Sequence, residues 1–257
     1  KDVIELAEKV EKELKEEFEK IDKIKEYNSL KVIRAFQKYK ISDMHFGSTT
    51  GYGYGDIGRD TIENIFAEVL GAEDALVRNQ FVSGSHALNV CFFALLRPGD
   101  LLLSICGKPY DTLQSIVSGG EEETGSLADF GISYQHVDLL EEGAVDWEAV
   151  KNAIHDKTKV VAIQRSKGYA VRPSFTVSQI KEMVEKIRLI KQDVIIFVDN
   201  CYGEFVESLE PTDVGVDLMA GSLIKNPGGG IAKTGGYIAG KKDFVTKCAY
   251  RMTSPGI

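Results

Sequence analysis

Short apolar runs alternate with longer amphipathic stretches over most of this 257-residue chain. Apolar runs bounded by Gly, Asp or Asn are typical of buried strands, and the stretches between them carry apolar residues at helical spacing. This alternation predicts an α/β domain with a mostly parallel, seven-stranded sheet sandwiched by helices. The predicted strands are residues 75–77, 101–105, 132–137, 160–164, 194–198, 218–222 and 236–239.

The N-terminal segment has a different pattern. Residues 1 to about 40 are dense in Lys and Glu, and apolar side chains such as Ile4, Leu14 and Ile24 recur at helical spacing. The spacing predicts an amphipathic helix followed by a second one. We therefore divide the chain into an N-terminal helical arm (1–45) and a large α/β domain (46–257). The arm can pack on its own subunit or on a neighbouring one.

The next predicted helix follows a loop rich in glycine and tyrosine (47–58). The sequence Asp60-Thr-Ile-Glu63 resembles a capping box, in which a first residue and one three positions later bond each other's backbone. The helix is therefore expected to begin at Asp60 and to close at Gly71.

The same loop holds a literal Gly-x-Gly-x-x-Gly at Gly53, Gly55 and Gly58, which is the fingerprint of dinucleotide-binding sites. Such a site needs a buried strand immediately before the glycines. Residues 41–46 make a poor buried strand, so the dinucleotide reading is the weaker one. The tyrosines of the loop and Arg59 are better suited to gripping a phosphate.

Composition argues against several classes of function. With 31 Lys and Arg against 39 Asp and Glu, the net charge of −8 disfavours a surface for nucleic acid or anionic membrane. No apolar run approaches the ~20 residues that span a bilayer, and no signal peptide is seen, so a cytoplasmic location is expected. The four cysteines and four histidines lack metal-ligand spacing, which predicts free thiols and no metal site.

An acid and a lysine stand at the ends of two successive predicted strands. Asp199 directly follows 194–198, and Lys225 lies three residues after 218–222. Ligands of α/β proteins bind at this carboxyl edge of the sheet. A lysine that forms a Schiff base with an aldehyde, with a carboxylate that keeps a pyridine nitrogen protonated, is what pyridoxal 5'-phosphate (PLP) requires. Either residue alone is more simply a strand-end acid or a surface lysine; together they predict a PLP site.

Other segments supply what a phosphorylated ring needs. Ser83, Gly84 and Ser85 lead from a strand into a helix whose first amides favour an anion, although a plain N-cap is the common use of such serines. Tyr110 follows another strand and can stack on the pyridine ring, or merely close a turn. The hydroxyl of Ser222, three residues before the lysine, can reach the phosphate.

The segment that begins at Gln164 follows a further strand and faces the same edge. Gln164 is counted among the cofactor-binding candidates. Arg165, Ser166 or Lys167 can contact a hydroxyl of the cofactor or a carboxylate of the substrate. A solvated basic turn explains these three residues at least as well.

These segments occur in the order of the fold-type I PLP enzymes, within the Cys/Met metabolism group. The motifs that carry the resemblance are 82–86, 107–112, 198–204 and 222–230. The chain most resembles the branch of aluminium-resistance, cystathionine β-lyase-like and methionine γ-lyase-like proteins. This resemblance implies the PLP-dependent transferase fold and a homo-oligomer, dimer or tetramer, with sites at subunit interfaces. It also implies a carbon–sulfur lyase that acts on an amino acid such as cystathionine, cysteine or methionine.

The resemblance also implies roles for individual residues. Lys225 carries the internal aldimine and, once freed, removes the α-proton, while Asp199 pairs with the pyridine nitrogen. The remaining assignments are Tyr110 for stacking and catalysis, Ser83, Gly84, Ser85 and Ser222 for the phosphate, and Tyr54 (or Tyr52) with Arg59 for the phosphate of a neighbouring subunit. Members of the group continue into a smaller domain that binds the substrate carboxylate, and we expect that domain to be absent here. An aminotransferase, a cysteine-desulfurase-like enzyme and a non-catalytic PLP-binding protein are the alternatives.

Overall fold

A computed structural model describes residues 2–47, 55–119 and 125–255 of the chain. Its strands are β1 (Asp74–Arg78), β2 (Leu101–Ser104), β3 (Ser133–His136), β4 (Thr158–Gln164), β5 (Ile195–Asp199), β6 (Leu218–Ser222) and β7 (Gly236–Gly240). Its α-helices are α1 (Asp2–Glu13), α2 (Lys15–Lys38), α3 (Ile57–Val69), α4 (Gly84–Leu95), α5 (Asp111–Ser118), α6 (Trp147–Ala153), α7 (Val177–Ile190) and α8 (Lys242–Met252).

The seven strands of the described chain form one sheet in the order β1-β7-β6-β5-β4-β2-β3. Every neighbouring pair from β6 to β3 is parallel, whereas β7 runs antiparallel to both β6 and β1. The predicted mostly parallel α/β sheet is confirmed. In the central strands Gln164 pairs with Asp199, and Asp199 pairs with Ala220, so the carboxyl ends of β4, β5 and β6 lie side by side.

The core lies on both faces of the sheet. The central strand β5 buries all five of its residues. Ile196 and Val198 belong to a cluster with residues of α7 on one face. Ile195 and Phe197 belong to the cluster on the other face, where the Phe197 ring contacts that of Phe92 on α4 edge to face, with 5.2 Å between centroids. Burial on both faces explains why the sequences of the central strands are continuous apolar runs instead of alternating ones.

The N-terminal arm consists of two helices, as predicted, but the break between them lies at Leu14 and not beyond Ile24, which belongs to α2. α1 buries none of its residues, and α2 buries only Asn28 and Ala35. The amide of Asn28 donates hydrogen bonds of 3.0 Å to the carbonyl oxygens of Phe205 and Glu207, so α2 is anchored to the α/β domain at that point. No helix of the described chain is long and apolar enough to cross a membrane. The division into 1–45 and 46–257 stays a prediction.

The start of α3 differs from the predicted one. Asp56 is the N-cap, with its Oδ1 accepting from the amide of Arg59 at 2.8 Å, and the helix begins at Ile57. The carboxylate of Glu63 does not close a capping box. It accepts instead from the amide of Val77 at 3.0 Å and pairs with Arg78, so it joins α3 to β1. The predicted capping box was wrong because the helix begins before Asp60, which therefore lies inside α3 and is not its N-cap.

Candidate active site

A cavity of ≈ 560 Å³ opens where the carboxyl ends of β5 and β6 meet the N-terminus of α4. Seven of the residues singled out from the sequence line it together: Ser83, Gly84, Ser85, Tyr110, Asp199, Ser222 and Lys225. They come from four segments that are far apart in the chain. The topology of the parallel sheet brings these segments to one edge.

Gly84 lets α4 come close to the sheet. A Cβ atom at this position would lie 3.0 Å from Cβ of Ser222 and 3.3 Å from Sγ of Cys201. Ser83 is the N-cap of α4, and its Oγ accepts from the amide of His86 at 3.2 Å. The N-terminal end of the helix, with its positive partial charge, therefore borders the cavity next to two serine hydroxyls.

Tyr110 meets α4 across the cavity. Its hydroxyl lies 3.3 Å from Oγ of Ser85, which is in turn 3.4 Å from Oγ1 of Thr112. Burial raises the pKa of Tyr110 above its ordinary value, and the negative charge of Asp199 adds to that effect. The phenol is therefore a proton-bearing hydrogen-bond partner at neutral pH.

Asp199 is a buried carboxylate at the end of the central strand, with 5% of its surface exposed. Its Oδ1 accepts from the amide of Cys201 at 3.1 Å. Burial raises the pKa of Asp199, while the hydrogen bonds from Cys201 and the positive charge of Lys225 oppose that rise. A cationic donor placed in the cavity would favour the ionised carboxylate.

Lys225 is half-buried in the turn after β6. Its Nζ lies 3.6 Å from the centroid of the Tyr202 ring. The side chain of the next residue, Asn226, donates to the carbonyl oxygens of Tyr202 and Glu204 at 3.2 and 2.9 Å. The turn that carries the lysine is thus fastened to the loop that follows Asp199.

The cavity is also lined by residues for which no role was predicted, among them Thr112, Tyr169, Ser174, Cys201, Tyr202 and Ile224. Cys201 and Tyr202 lie two and three residues after Asp199 in the sequence, and this position close to a candidate site residue could have indicated them. All four cysteines are free, as predicted, and all four are buried.

Gln164 and Arg59 do not line this cavity. Gln164 donates from its side-chain amide to the carbonyl oxygen of Ser166 at 3.1 Å. Arg59 pairs with Asp60 at 3.0 Å and lines a different, apolar cavity beside α2 and α3. Tyr54 falls outside the described residues. A role for Tyr54 and Arg59 toward a neighbouring subunit stays a prediction.

Arg165 is neither a cavity residue nor part of a solvated turn. Its side chain is 2% exposed, and Nη1 donates to Oδ1 of Asn200 at 2.8 Å and to the carbonyl oxygen of Gly203 at 2.7 Å. Nη2 donates to Oε2 of Glu207 at 2.6 Å. Through these hydrogen bonds the Arg165 guanidinium anchors the loop that follows Asp199. Ser166 and Lys167 do line the cavity.

Glu204 is a second buried acid close to the site. Tyr237 donates to its Oε1 at 2.8 Å, and within the described chain its Oε2 has no hydrogen-bond partner. Burial raises the pKa of Glu204 from 4.5 to about 7, and the nearby negative charges of Glu210 and Asp199 contribute to the rise. The carboxyl group is therefore close to its titration point at neutral pH.

The raised pKa of Glu204 predicts a pH-dependent stability. Between pH 4.5 and about 7 the folded protein binds more protons at Glu204 than the unfolded chain does, so stability falls as the pH rises through this window. The Glu204→Gln variant, which carries no charge, should gain up to about 3 kcal/mol relative to wild type across it. Urea unfolding at a series of pH values measures the difference. The exposed Glu141→Gln should follow wild type, and a gain independent of pH at Glu204 would contradict the assignment.

The chain is similar in sequence and structure to several known proteins. The chain is 60% identical over 238 residues to "Uncharacterized protein YnbB" of Bacillus subtilis (strain 168), covering 92% of this chain and 56% of that protein. A Listeria innocua crystal structure, named "putative cystathionine beta-lyase involved in aluminum resistance", matches 100% of this chain and 63% of that one. It has 54% identity and a TM-score of 0.97.

A more distant relative is the L-methionine gamma-lyase of Pseudomonas putida, 24% identical over 202 residues, covering 78% of this chain and 46% of that protein. The chain thus spans less than two thirds of the length of each of these relatives. The expected fold-type I architecture of PLP enzymes is confirmed. The family model described as methionine gamma-lyase matches residues 3–257. The chain belongs to the methionine gamma-lyase family.

Proposed function

We propose that this chain binds PLP and carries the cofactor site of a carbon–sulfur lyase that acts on an amino acid such as cystathionine, cysteine or methionine. The observation that carries the proposal is that Lys225 and Asp199 line one cavity, bordered by the N-terminus of α4. The names of the relatives, a methionine gamma-lyase and a protein described as a cystathionine beta-lyase, support the reaction class.

The residues present fit the cofactor. The Lys225 amine would bond to its aldehyde, and the α4 N-terminus with Ser85 and Ser222 would hold its phosphate. Gly84 leaves space between the N-terminus of α4 and Ser222, because a Cβ atom at position 84 would fill it. Burial raises the pKa of the Asp199 carboxylate, and a cation beside it would favour the ionised form. A protonated pyridine nitrogen would be such a cation.

Bound PLP supplies an electron sink for the negative charge that develops at the substrate's α-carbon. The protein's own residues do the rest. Nζ of Lys225 removes the α-proton as a general base. Asp199 would pair, in its ionised form, with the protonated ring nitrogen of the cofactor. Tyr110 stays protonated through burial and can donate to the substrate or to the departing sulfur group.

An aminotransferase would need the same cofactor contacts, so the products decide between the two activities. A lyase releases a thiol, ammonia and a keto acid from one amino acid, whereas an aminotransferase requires an acceptor keto acid. The homo-oligomer with shared sites and the cytoplasmic location also stay predictions.

The first experiment combines the visible spectrum of the purified chain with PLP, borohydride reduction and peptide mapping. We expect a reducible absorption band and a single modified lysine, Lys225. Full-length YnbB of Bacillus subtilis is the matched control, because the region matched by this chain covers 56% of that protein and YnbB also contains the remainder. A reduced adduct on a different lysine in both proteins, or none in either, would overturn the proposal. Thiol release from cystathionine, cysteine or methionine by YnbB then tests the reaction class.

A further inference from the structure

The ring of Tyr202 lies directly against the reactive amine. Resting on the proposed function, we propose that Tyr202 is a positioning residue that holds the Lys225 amine at the cavity wall, and that Asn226 keeps Tyr202 in place. The 3.6 Å between Nζ and the ring centroid is well within the range in which an ammonium is attracted to an aromatic face.

Tyr202 is not needed to fill the core. Its side chain is 58% exposed, and it borders the cavity instead of packing beneath the sheet. A large aromatic side chain in such a place contributes little to burial. Its contact with the lysine is therefore the more informative property.

The backbone of Tyr202 adds a second observation. Its φ of 67° lies in the left-handed region, which non-glycine residues rarely adopt because it strains the backbone. The surrounding contacts hold it there: Asn226 donates to the carbonyl oxygen of Tyr202, and the amide of Gly203 donates to the carbonyl oxygen of Asn200 at 2.8 Å. Such a conformation beside a reactive lysine indicates a functional constraint on this turn.

The arrangement also separates two groups that attract each other. Lys225 and Asp199 share the cavity, and the charge of the lysine opposes the rise in the pKa of Asp199. Within the described chain the amine nevertheless rests on Tyr202 and forms no ion pair with the carboxylate. The ring thereby leaves Asp199 free for a different cation and keeps the amine on its own side of the cavity.

The test measures how fast formaldehyde and cyanoborohydride methylate Lys225 in cofactor-free protein, with Lys167 of the same cavity as the internal reference. Loss of the ring in Tyr202→Leu should speed methylation of Lys225 about 2- to 5-fold, because the cation–π contact stabilises the charged amine, which does not react, by an amount that corresponds to this factor. The rate at Lys167 should not change. Tyr202→Phe keeps the ring and should react at the wild-type rate.

Asn226 provides the second arm. Asn226→Ala should speed the methylation of Lys225 to the same degree as Tyr202→Leu, and the double variant should show no further increase, since both act through one contact. An unchanged rate in Tyr202→Leu, equal acceleration at Lys167, or a Phe variant that behaves like the Leu variant would overturn the proposal. This readout uses no PLP, so a failure of cofactor binding would be seen separately.

Discussion

The Lys225→Ala variant should fold normally and lose the borohydride-reducible PLP adduct completely. The side chain is half-buried and contacts the face of an exposed ring, so its removal should change the free energy of unfolding by less than about 0.5 kcal/mol. The bond to the cofactor has no such tolerance, because it requires a primary amine at this place.

Turnover should fall by about 10²- to 10⁴-fold or more, because a general base alone usually contributes a factor in that range. Of the described residues that line the cavity, Lys167 is the other one with a primary amine. Lys167→Ala is therefore the matched control, and it should keep both the adduct and its position on Lys225. The measurements are the visible spectrum, peptide mapping after reduction, and thiol release by YnbB variants changed at the aligned lysines.

A reducible adduct that persists in Lys225→Ala would contradict the assignment of the lysine. Loss of the adduct in Lys167→Ala alone would move the role to that residue. A small primary amine added to the Lys225→Ala protein should restore part of the proton transfer, because the base is the group that is missing.

The central strands could be predicted because they are buried on both faces of the sheet. The central run ending at Val198 is continuous and β-rich, and the structure shifts its predicted start by one residue, to Ile195. The direction of β7 was not predictable in the same way. Its antiparallel pairing with β6, where Ser222 lies opposite Gly236, follows from a connection without a crossover helix.

Site residues at strand ends were predictable for a topological reason. Asp199 and Ser222 are the last residues of β5 and β6, which are parallel neighbours, so both residues lie at the same edge of the sheet. Contacts between segments that are distant in the sequence could not be predicted, because nothing local in the sequence encodes them. Arg165 bonds to a carboxylate 42 residues away, and the turn after β4 directs its side chain beneath the loop instead of toward the cavity.

Arg165→Met should be the most destabilising change, with an expected loss of about 3–5 kcal/mol in the free energy of unfolding. The guanidinium donates to Glu207 and lies 3.7 Å from Oε2 of the fully buried Glu210. Removing one partner of a buried pair leaves the other charge without compensation, which is costlier than losing the attraction itself. Lys167→Met removes the same charge two residues further on, at an exposed position, and should cost less than about 0.5 kcal/mol.

The pH dependence of this loss identifies its cause. Burial already raises the pKa of Glu210, and the positive charge of Arg165 opposes that rise. In Arg165→Met the pKa of Glu210 rises further, so the folded variant takes up a proton that the unfolded chain binds only at lower pH. The stability deficit relative to wild type should therefore shrink as the pH falls toward the ordinary carboxyl value of 4.5. Urea unfolding of Arg165→Met and Lys167→Met across that range measures it. A deficit that stays constant with pH would mean that lost packing of the arginine side chain, and not an uncompensated carboxylate, accounts for the destabilisation.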